Sequence, residues 1–156
     1  MPLYIKALGI DANRNLVSCH GGEQVWEFRN PRLADGTPHV QTGTPQTVYV
    51  DADPVSVEPG GVPCRAGALH ALRVRDLPHW LGLFYAVVEM PEAYEHADKV
   101  HGYSQRIVRI ADFDGLKMLE DFAQWCGEQG ESYSEEAVSN FIASRFPEGF
   151  LDGVER

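Results

Sequence analysis

The sequence predicts an α+β domain, in which a strand-rich and mainly antiparallel first part is packed by two amphipathic helices at the end of the chain. Two observations predict this class. Short apolar and β-branched runs alternate with turn residues over residues 1–111, and the apolar spacing then changes to threes and fours over residues 112–156. Because 156 residues is a common size for one domain, we expect a single domain covering residues 1–156.

Seven strands are predicted in the first part. The run at residues 46–50, Gln-Thr-Val-Tyr-Val, is rich in residues that favour strands and has turn residues on both sides. Three prolines and a Gly-Gly pair lie between residues 54 and 63, which predicts a surface loop over residues 54–67. The predicted strands cover residues 3–10, 15–19, 24–28, 46–51, 68–74, 84–90 and 104–111.

A short helix is predicted before the strand that begins at Phe84. Asp76 is suited to cap a helix, and Pro78 is tolerated in a first helical turn. We therefore expect one or two helical turns between the strands at residues 68–74 and 84–90.

Two longer helices are predicted in the second part. The first begins at Gly115 and ends near residues 127–130, where glycines stop it. The second begins at a capping box, Ser-Tyr-Ser-Glu at residues 132–135, and ends before Pro147. We expect both apolar faces to pack on the sheet. These faces comprise Leu116, Leu119, Phe122, Ala123 and Cys126 in the first helix, and Ala137, Val138, Phe141, Ile142 and Phe146 in the second.

Negative charge is concentrated on the predicted helices. The net charge is −10, and residues 111–156 contain eleven of the 23 acidic residues but only three of the 13 basic ones. Such a surface repels nucleic-acid phosphates, so direct nucleic-acid binding is disfavoured. It favours docking on a protein partner with a basic surface, through Glu120, Asp121, Glu128, Glu135 and Glu136. The alternative is a solvated face that maintains solubility. The oligomeric state is left open.

Membrane insertion and export are not indicated. No apolar run approaches the roughly 18 residues that a membrane-spanning helix needs, and residues 1–6 read as a strand rather than as a signal peptide. We expect no membrane association and a cytoplasmic location, which is the host cytoplasm if the chain is encoded by a phage. Three widely spaced cysteines, Cys19, Cys64 and Cys126, form no disulfide framework and no zinc motif.

The common motifs of catalysis and cofactor binding are missing. There is no phosphate-binding loop, no dinucleotide fingerprint, no nucleophile elbow and no calcium loop. His96 and His101 lie near acidic residues, but their five-residue spacing does not place both side chains on one face of a helix or strand. We therefore predict no metal site and no cofactor.

One histidine stands in an otherwise apolar run. His70 is flanked by alanines and leucines, and Cys64 precedes it by six residues. A cysteine and a histidine could form a nucleophile and its base. The preferred interpretation is a buried histidine near a structural thiol, because the sequence shows no group that would activate the thiolate.

Short motifs resemble a small domain of unknown function from phage and bacterial proteins. They are a Tyr-x-Lys-Ala strand, a cysteine loop leading into Leu-His-Ala, and an Asp-Lys segment running into Ile-x-x-Ile, the last two lying within residues 62–110. The resemblance implies a phage-linked or bacterial accessory role. The family pattern has one aromatic residue between the glycine and the histidine, whereas in this chain two residues separate Gly67 from His70. The matching residues are Tyr4, Lys6, Ala7, Cys64, Leu69, His70, Ala71, Asp98, Lys99, Ile107 and Ile110.

The order of the middle strands gives an alternative function. A Gly-x-x-His-Ala strand, a short helix and a Phe-Tyr-x-Val-Val-Glu strand follow one another, an order that is similar to ADP-ribosyltransferase folds. This similarity implies an NAD-handling enzyme with Glu89 as the catalytic carboxylate and a pocket near His70 and Tyr85. The leading prediction remains an interaction protein that uses its acidic helices, and the NAD-handling enzyme is the alternative.

Overall fold

The computed structural model describes residues 2–18, 24–59, 68–130 and 134–156. It contains a strand-rich antiparallel sheet packed by two C-terminal helices, which confirms the predicted α+β class. The strands are β1 (Leu3–Ile10), β2 (Leu16–Ser18), β3 (Val25–Trp26), β4 (Arg29–Arg32), β5 (Gln46–Asp51), β6 (Val55–Ser56), β7 (Leu69–Ala71), β8 (Phe84–Glu89), β9 (Tyr94–Glu95), β10 (Val100–Gly102) and β11 (Ser104–Asp112). The helices are a 3-10 helix (Val74–His79), α1 (Gly115–Gln129) and α2 (Glu135–Ser144).

The main sheet has the strand order β3-β2-β1-β8-β11-β5-β4, with β6 also paired to β11. A smaller sheet has the order β7-β10-β9. Ile5 of β1 forms a bridge to Leu72, immediately after β7, with backbone hydrogen bonds of 2.8 Å in both directions. The two sheets are therefore joined where β1 passes the end of β7.

The central strands are buried on both faces, which explains their nearly continuous apolar sequences. Along β1, Tyr4 and Leu8 belong to a core on one face, and Ile5 and Ala7 belong to a second core on the other. This alternation follows from the two-residue period of a strand. The first core lies between the main and the smaller sheet, since it includes Leu69 and Ala71 of β7 together with Met90, Val100 and Ile107.

The second core joins the main sheet to the helices. Val138, Ile142 and Phe146 of the α2 region pack with Ile5 and Val87 of the sheet, as the predicted apolar face of this helix requires. Ile142 is fully buried, and burying such a side chain contributes about 1.5–3 kcal/mol. Among the described residues, no helix is both long enough and apolar enough to cross a membrane.

The α1 helix packs differently from the prediction. Met118 is its buried apolar residue, whereas Leu116, predicted to be buried, is 59% exposed and Ala123 is also exposed. The start of the helix fixes this rotation. Asp114 caps it by accepting a hydrogen bond from the Lys117 backbone N–H, and Gly115 lies so close to the backbone of Leu83 that a side-chain carbon at Gly115 would be 2.1 Å from the Leu83 carbonyl oxygen.

Two predicted helix starts are wrong in position. The N-cap of α2 is Ser134, whose hydroxyl accepts from the Ala137 backbone N–H, while Ser132 of the predicted capping box lies outside the described residues. The 3-10 helix begins at Val74 with Arg73 as its N-cap, three residues earlier than the predicted cap at Asp76. Asp76 lies inside it and accepts hydrogen bonds from the backbone N–H and the guanidinium of Arg73, so the strand before it ends early, at Ala71.

Four short strands were not predicted. Strand β4 has the sequence Arg-Asn-Pro-Arg and lies at the sheet edge, where a proline is tolerated. Strand β6 lies within the predicted loop at residues 54–67, of which residues 60–67 are outside the described residues. Strands β9 and β10 are two and three residues long, too short to produce a visible period. The predictions at residues 3–10, 46–51, 84–90 and 104–111 are confirmed to within one residue.

Candidate functional site

The five acidic residues predicted to bind a partner all lie on the two C-terminal helices. Glu120, Asp121 and Glu128 belong to α1, and Glu135 and Glu136 form the first turn of α2. Four of them are exposed, and Asp121 is partly exposed. We refer to this set as the helix carboxylates. They lie at the surface of the same helices that contribute Met118 and Ile142 to the second core.

Few basic groups approach the helix carboxylates. Lys117 donates a hydrogen bond of 2.6 Å to Asp121, one turn away on α1, and this bond lowers the pKa of Asp121. Glu135 lies 3.9 Å from the imidazole of His79. Within the described residues, no ion pair engages the other three members of the set. Basic residues of the first part therefore leave most of this negative charge facing solvent.

Aromatic side chains lie between the two helices. The rings of Trp125 and Phe141 stack with centroids 4.9 Å apart, and Phe122 stacks on Trp125 at 6.3 Å. All three are half-buried, and the guanidinium of Arg145 lies 4.8 Å from the Phe141 ring centroid. We call Phe122, Trp125 and Phe141 the aromatic strip. It places apolar surface next to the helix carboxylates.

The residues of the alternative NAD-handling site are separated. Tyr85 is buried in the second core, edge-on to Phe146 at 5.0 Å, and its hydroxyl accepts a hydrogen bond from the Gly82 backbone N–H. Glu89 forms an ion pair with Arg106 of the neighbouring strand. His70 lines a cavity to which neither Tyr85 nor Glu89 contributes. The NAD-handling function stays a prediction that these positions do not strengthen.

Two histidines that do not share a face of one helix or strand are brought together by a strand pairing. The β9–β10 pairing folds the chain back, and Nε2 of His96 lies 2.5 Å from Nδ1 of His101. The ring of Tyr94 stacks on His101, and His101 pairs with His70 across β10 and β7. Burial, followed by the charges of His96 and Lys99, lowers the pKa of His101. Among the described residues, no group of three or more histidine, cysteine or acidic side chains is arranged around a metal position.

Of the three cysteines, only Cys126 belongs to the described residues. Cys19 and Cys64 lie outside the described residues, so the pairing of Cys64 with His70 stays a prediction. Cys126 is a half-buried thiol on α1.

A cavity lined by buried cations lies where β1 meets β7. Lys6 and Lys99 are only 3% and 9% exposed, and both line this cavity of about 130 Å³ together with Ser18, His70, Leu72 and Trp80. We call it the cationic cavity. The Lys6 ammonium donates a hydrogen bond of 2.6 Å to the His70 carbonyl oxygen and lies 4.7 Å from the ring centroid of Trp26. The Lys99 ammonium lies 5.3 Å from the ring centroid of Trp80.

The cationic cavity holds a neutral histidine. Burial, followed by the charges of Lys6, Lys99, His101 and His96, lowers the pKa of His70 to about 4. Near neutral pH the imidazole therefore carries no charge, and it can donate one hydrogen bond and accept another. The charged residues among the cavity's described lining are Lys6 and Lys99.

Part of this cavity could have been found from the sequence. Lys6 lies between Tyr4 and Leu8 in an otherwise mostly apolar strand. The two-residue period of a strand puts these three side chains on the same face, so it places a lysine on a core face. The sequence around Lys99 and Trp80 contains no such periodicity, and these residues line the cavity from other parts of the chain.

No family model, no curated protein and no solved structure matches this chain.

Proposed function

We propose that this protein is a small acidic interaction protein that binds a basic surface of a partner protein through α1 and α2. The observation that carries the proposal is the position of the helix carboxylates. They lie at the surface of helices whose apolar sides are anchored in the second core. Charge fixed on an anchored element can be presented to a partner without unfolding.

The partner surface that fits best combines basic and apolar side chains. The helix carboxylates would attract lysines and arginines, and the aromatic strip and the exposed Leu116 would contact apolar residues between them. An amphipathic basic segment has this composition, and such segments commonly bind to surfaces with apolar and acidic character. Nucleic acids and anionic membranes carry the wrong charge for this surface.

The strength of such binding depends on how many charges act together. A single exposed ion pair contributes about 0.2–1 kcal/mol, so no one carboxylate carries the affinity. Several carboxylates acting together steer a basic partner over a distance of about 8–10 Å at physiological salt. Binding should therefore weaken steeply as salt is added.

The cellular location and the source of the protein are expectations from the sequence. A phage or bacterial accessory protein that acts in the cytoplasm, or in the host cytoplasm if it is phage-encoded, would meet many basic partner proteins. This setting is an expectation from the sequence motifs and is independent of the docking test below.

The test uses a defined probe, a fluorescent peptide with lysine and leucine at helical spacing. We compare the natural chain with a variant in which the helix carboxylates are changed to the matching amides, Glu→Gln and Asp→Asn. Neutralising them should weaken binding of the peptide at low salt by about tenfold or more, measured by fluorescence anisotropy. Circular dichroism checks that the variant stays folded.

A second variant provides a matched control. It neutralises five exposed acidic residues of the first part in the same way, so that both variants have the same net charge. Unchanged binding by this control, together with the loss described above, supports the helix surface. An equal loss in both variants would mean that only overall charge matters, and the proposal would fail. The control residues are Glu27, Asp35, Asp53, Glu58 and Glu92.

A further inference from the structure

We propose that His96 and His101 form a binding site for a divalent transition-metal ion of the class that imidazole nitrogens prefer, such as nickel, copper or zinc. The site lies on the hairpin of β9 and β10 and uses none of the helix carboxylates and none of the aromatic strip. It is therefore independent of the docking function, and either proposal can fail without the other.

The hairpin of β9 and β10 brings the two imidazoles together. Tyr94 lies directly opposite His101 in the strand pairing, and the backbone N–H of His96 donates a hydrogen bond of 2.9 Å to the Lys99 carbonyl oxygen, which closes the turn. Because Tyr94 and His96 are two residues apart, their side chains lie on the same face of the hairpin. His96 is therefore a diagonal neighbour of His101, and diagonal neighbours are within reach of long side chains.

Two ring nitrogens face each other across this diagonal. Nε2 of His96 lies 2.5 Å from Nδ1 of His101. Two imidazole nitrogens that bind one ion at about 2.0–2.1 Å are about 2.8–3.4 Å apart, for coordination angles from square-planar to tetrahedral. The rings therefore need to separate by less than about 1 Å for an ion to bind both nitrogens. Each neutral imidazole can carry its proton on its other nitrogen, which leaves both facing nitrogens able to bind a metal.

One of the two rings is fixed, and the other can adjust to an ion. His101 is only 9% exposed, its ring stacks on Tyr94 with centroids 5.1 Å apart, and Tyr103 packs edge-on to it at 5.7 Å. His96 is half-buried and immediately follows the last residue of β9. A fixed ligand reduces the cost of organising the site, and a ligand at the end of a hairpin can move without repacking of the core.

The local charge favours a cation. Glu92, Glu95 and Asp98 lie in or beside the hairpin, and Lys99 is the one lysine or arginine in residues 92–101. Glu92 and Glu95 are exposed to solvent. Because the net charge of the chain is −10, its long-range field also attracts a divalent cation from solution.

The ligand atoms select the kind of ion. Imidazole nitrogens suit nickel, copper and zinc, whereas magnesium and calcium prefer oxygen ligands. Within the part of the chain that the structure describes, no third histidine, cysteine or acidic side chain completes a metal-binding group. Water would therefore complete the coordination. The ion should exchange readily with solution, unlike a structural zinc ion, which is enclosed by four protein ligands.

The first test measures binding of Ni²⁺ to the natural chain by isothermal titration, with Mg²⁺ in excess so that carboxylates are occupied by an ion that they prefer. We expect saturable Ni²⁺ binding that persists in excess Mg²⁺. Zn²⁺ then locates the site by NMR, since it should shift the imidazole signals of His96 and His101 and leave those of His39 and His79 unchanged. No Ni²⁺ binding, or zinc-induced shifts at the other two histidines instead, would overturn the proposal.

The second test removes one ligand. His96→Gln is chosen because His96 is half-buried, whereas His101 is buried. Loss of an outer partner of a metal ligand typically costs about 10–100-fold in affinity, so loss of one of two ligands should weaken Ni²⁺ binding at least about tenfold. His39→Gln is the matched control, because His39 also has a close partner, Asp112 at 2.8 Å, and its substitution should leave Ni²⁺ affinity unchanged.

An equal Ni²⁺ affinity in these two variants would contradict the site. A loss in His39→Gln alone would assign Ni²⁺ binding to the pair of His39 and Asp112, and the proposal would fail. If His96→Gln does not fold by circular dichroism, the zinc-induced NMR shifts on the natural chain decide alone.

Discussion

The sheet side and the helical side of this protein place their charges in opposite ways. Around the cationic cavity, lysines lie beneath the surface among apolar and aromatic side chains. On α1 and α2, carboxylates lie in solvent, and apolar side chains such as Met118 and Ile142 pack underneath against the second core. A buried charge affects stability and selects ligands at close range, whereas an exposed charge acts mainly on partners that approach from solution.

Two local ion pairs illustrate this difference, one at the start of the 3-10 helix and one within α1. Arg73 and Asp76 are three residues apart, and their side chains are only 3% and 1% exposed. Lys117 and Asp121 are four residues apart, with side chains 64% and 24% exposed. The two pairs differ in burial and in the number of hydrogen bonds that the aspartate accepts from its partner, so their contributions to stability should differ.

The largest expected effect is at the buried pair. Asp76→Ala removes the acceptor of three hydrogen bonds from Arg73 and leaves the buried guanidinium with the exposed Glu95 as its remaining carboxylate partner. We expect a loss of about 3–5 kcal/mol in the free energy of unfolding. Urea unfolding measures it.

The matched control is Asp121→Ala at the exposed pair. Its effect on the free energy of unfolding should be much smaller, because surface pairs contribute little and alanine favours a helix. Similar costs for the two substitutions would show that burial is not what separates the two regions.

The next effect concerns the anchor beneath the helix carboxylates. Ile142→Ala should lower the free energy of unfolding by about 2–5 kcal/mol, because Ile142 is fully buried in the second core. Asn140→Ala, at an exposed position of the same helix, should change it by less than about 0.5 kcal/mol. A small effect at Ile142 in urea unfolding would mean that α2 is not held by the sheet, and the presentation of charge by an anchored helix would lose its basis.

The third effect is a pH dependence on the sheet side. The pKa of His70 falls from 6.5 to about 4 on folding, because of burial and the nearby charges of Lys6, Lys99, His101 and His96. The unfolded chain therefore binds more protons at this residue between these two pH values. Its contribution to the free energy of unfolding is constant above pH 6.5 and falls as the pH decreases towards 4.

The check for this effect is urea unfolding over the same pH range for the natural chain and for His70→Gln. The natural chain should lose more stability than the variant between pH 6.5 and 4, since glutamine does not titrate. Parallel pH profiles would show that His70 is solvated in the folded protein.

The sequence predicted the longer elements well because their patterns are local. Strand β1 and helix α2 repeat their apolar residues over enough positions for the period to be visible. Short elements failed for the opposite reason, since two residues of β9 carry no period. The contact between His96 and His101 was not predicted for a related reason. It depends on the pairing of the short strands β9 and β10 and not on a helical or strand spacing.

The two sites differ in how far they could be predicted. The helix carboxylates follow from composition and an amphipathic period, and the structure puts them on the helices as expected. Leu116 was misplaced because the close approach of Gly115 to the Leu83 backbone sets the rotation of α1. The cationic cavity was missed, since Lys6, His70 and Lys99 come from distant parts of the chain.

The sequence by itself determined the α+β class, the long strands, the two terminal helices and the excess of negative charge on them. These properties depend on neighbouring residues and on their periodicity, which a linear sequence contains. Only the tertiary structure decided that two lysines of an acidic protein line one cavity, because burial and proximity depend on how distant segments pack together. The pKa of His70 belongs to the same class, since its causes are burial and charges from β1 and from the β10 side of the smaller sheet.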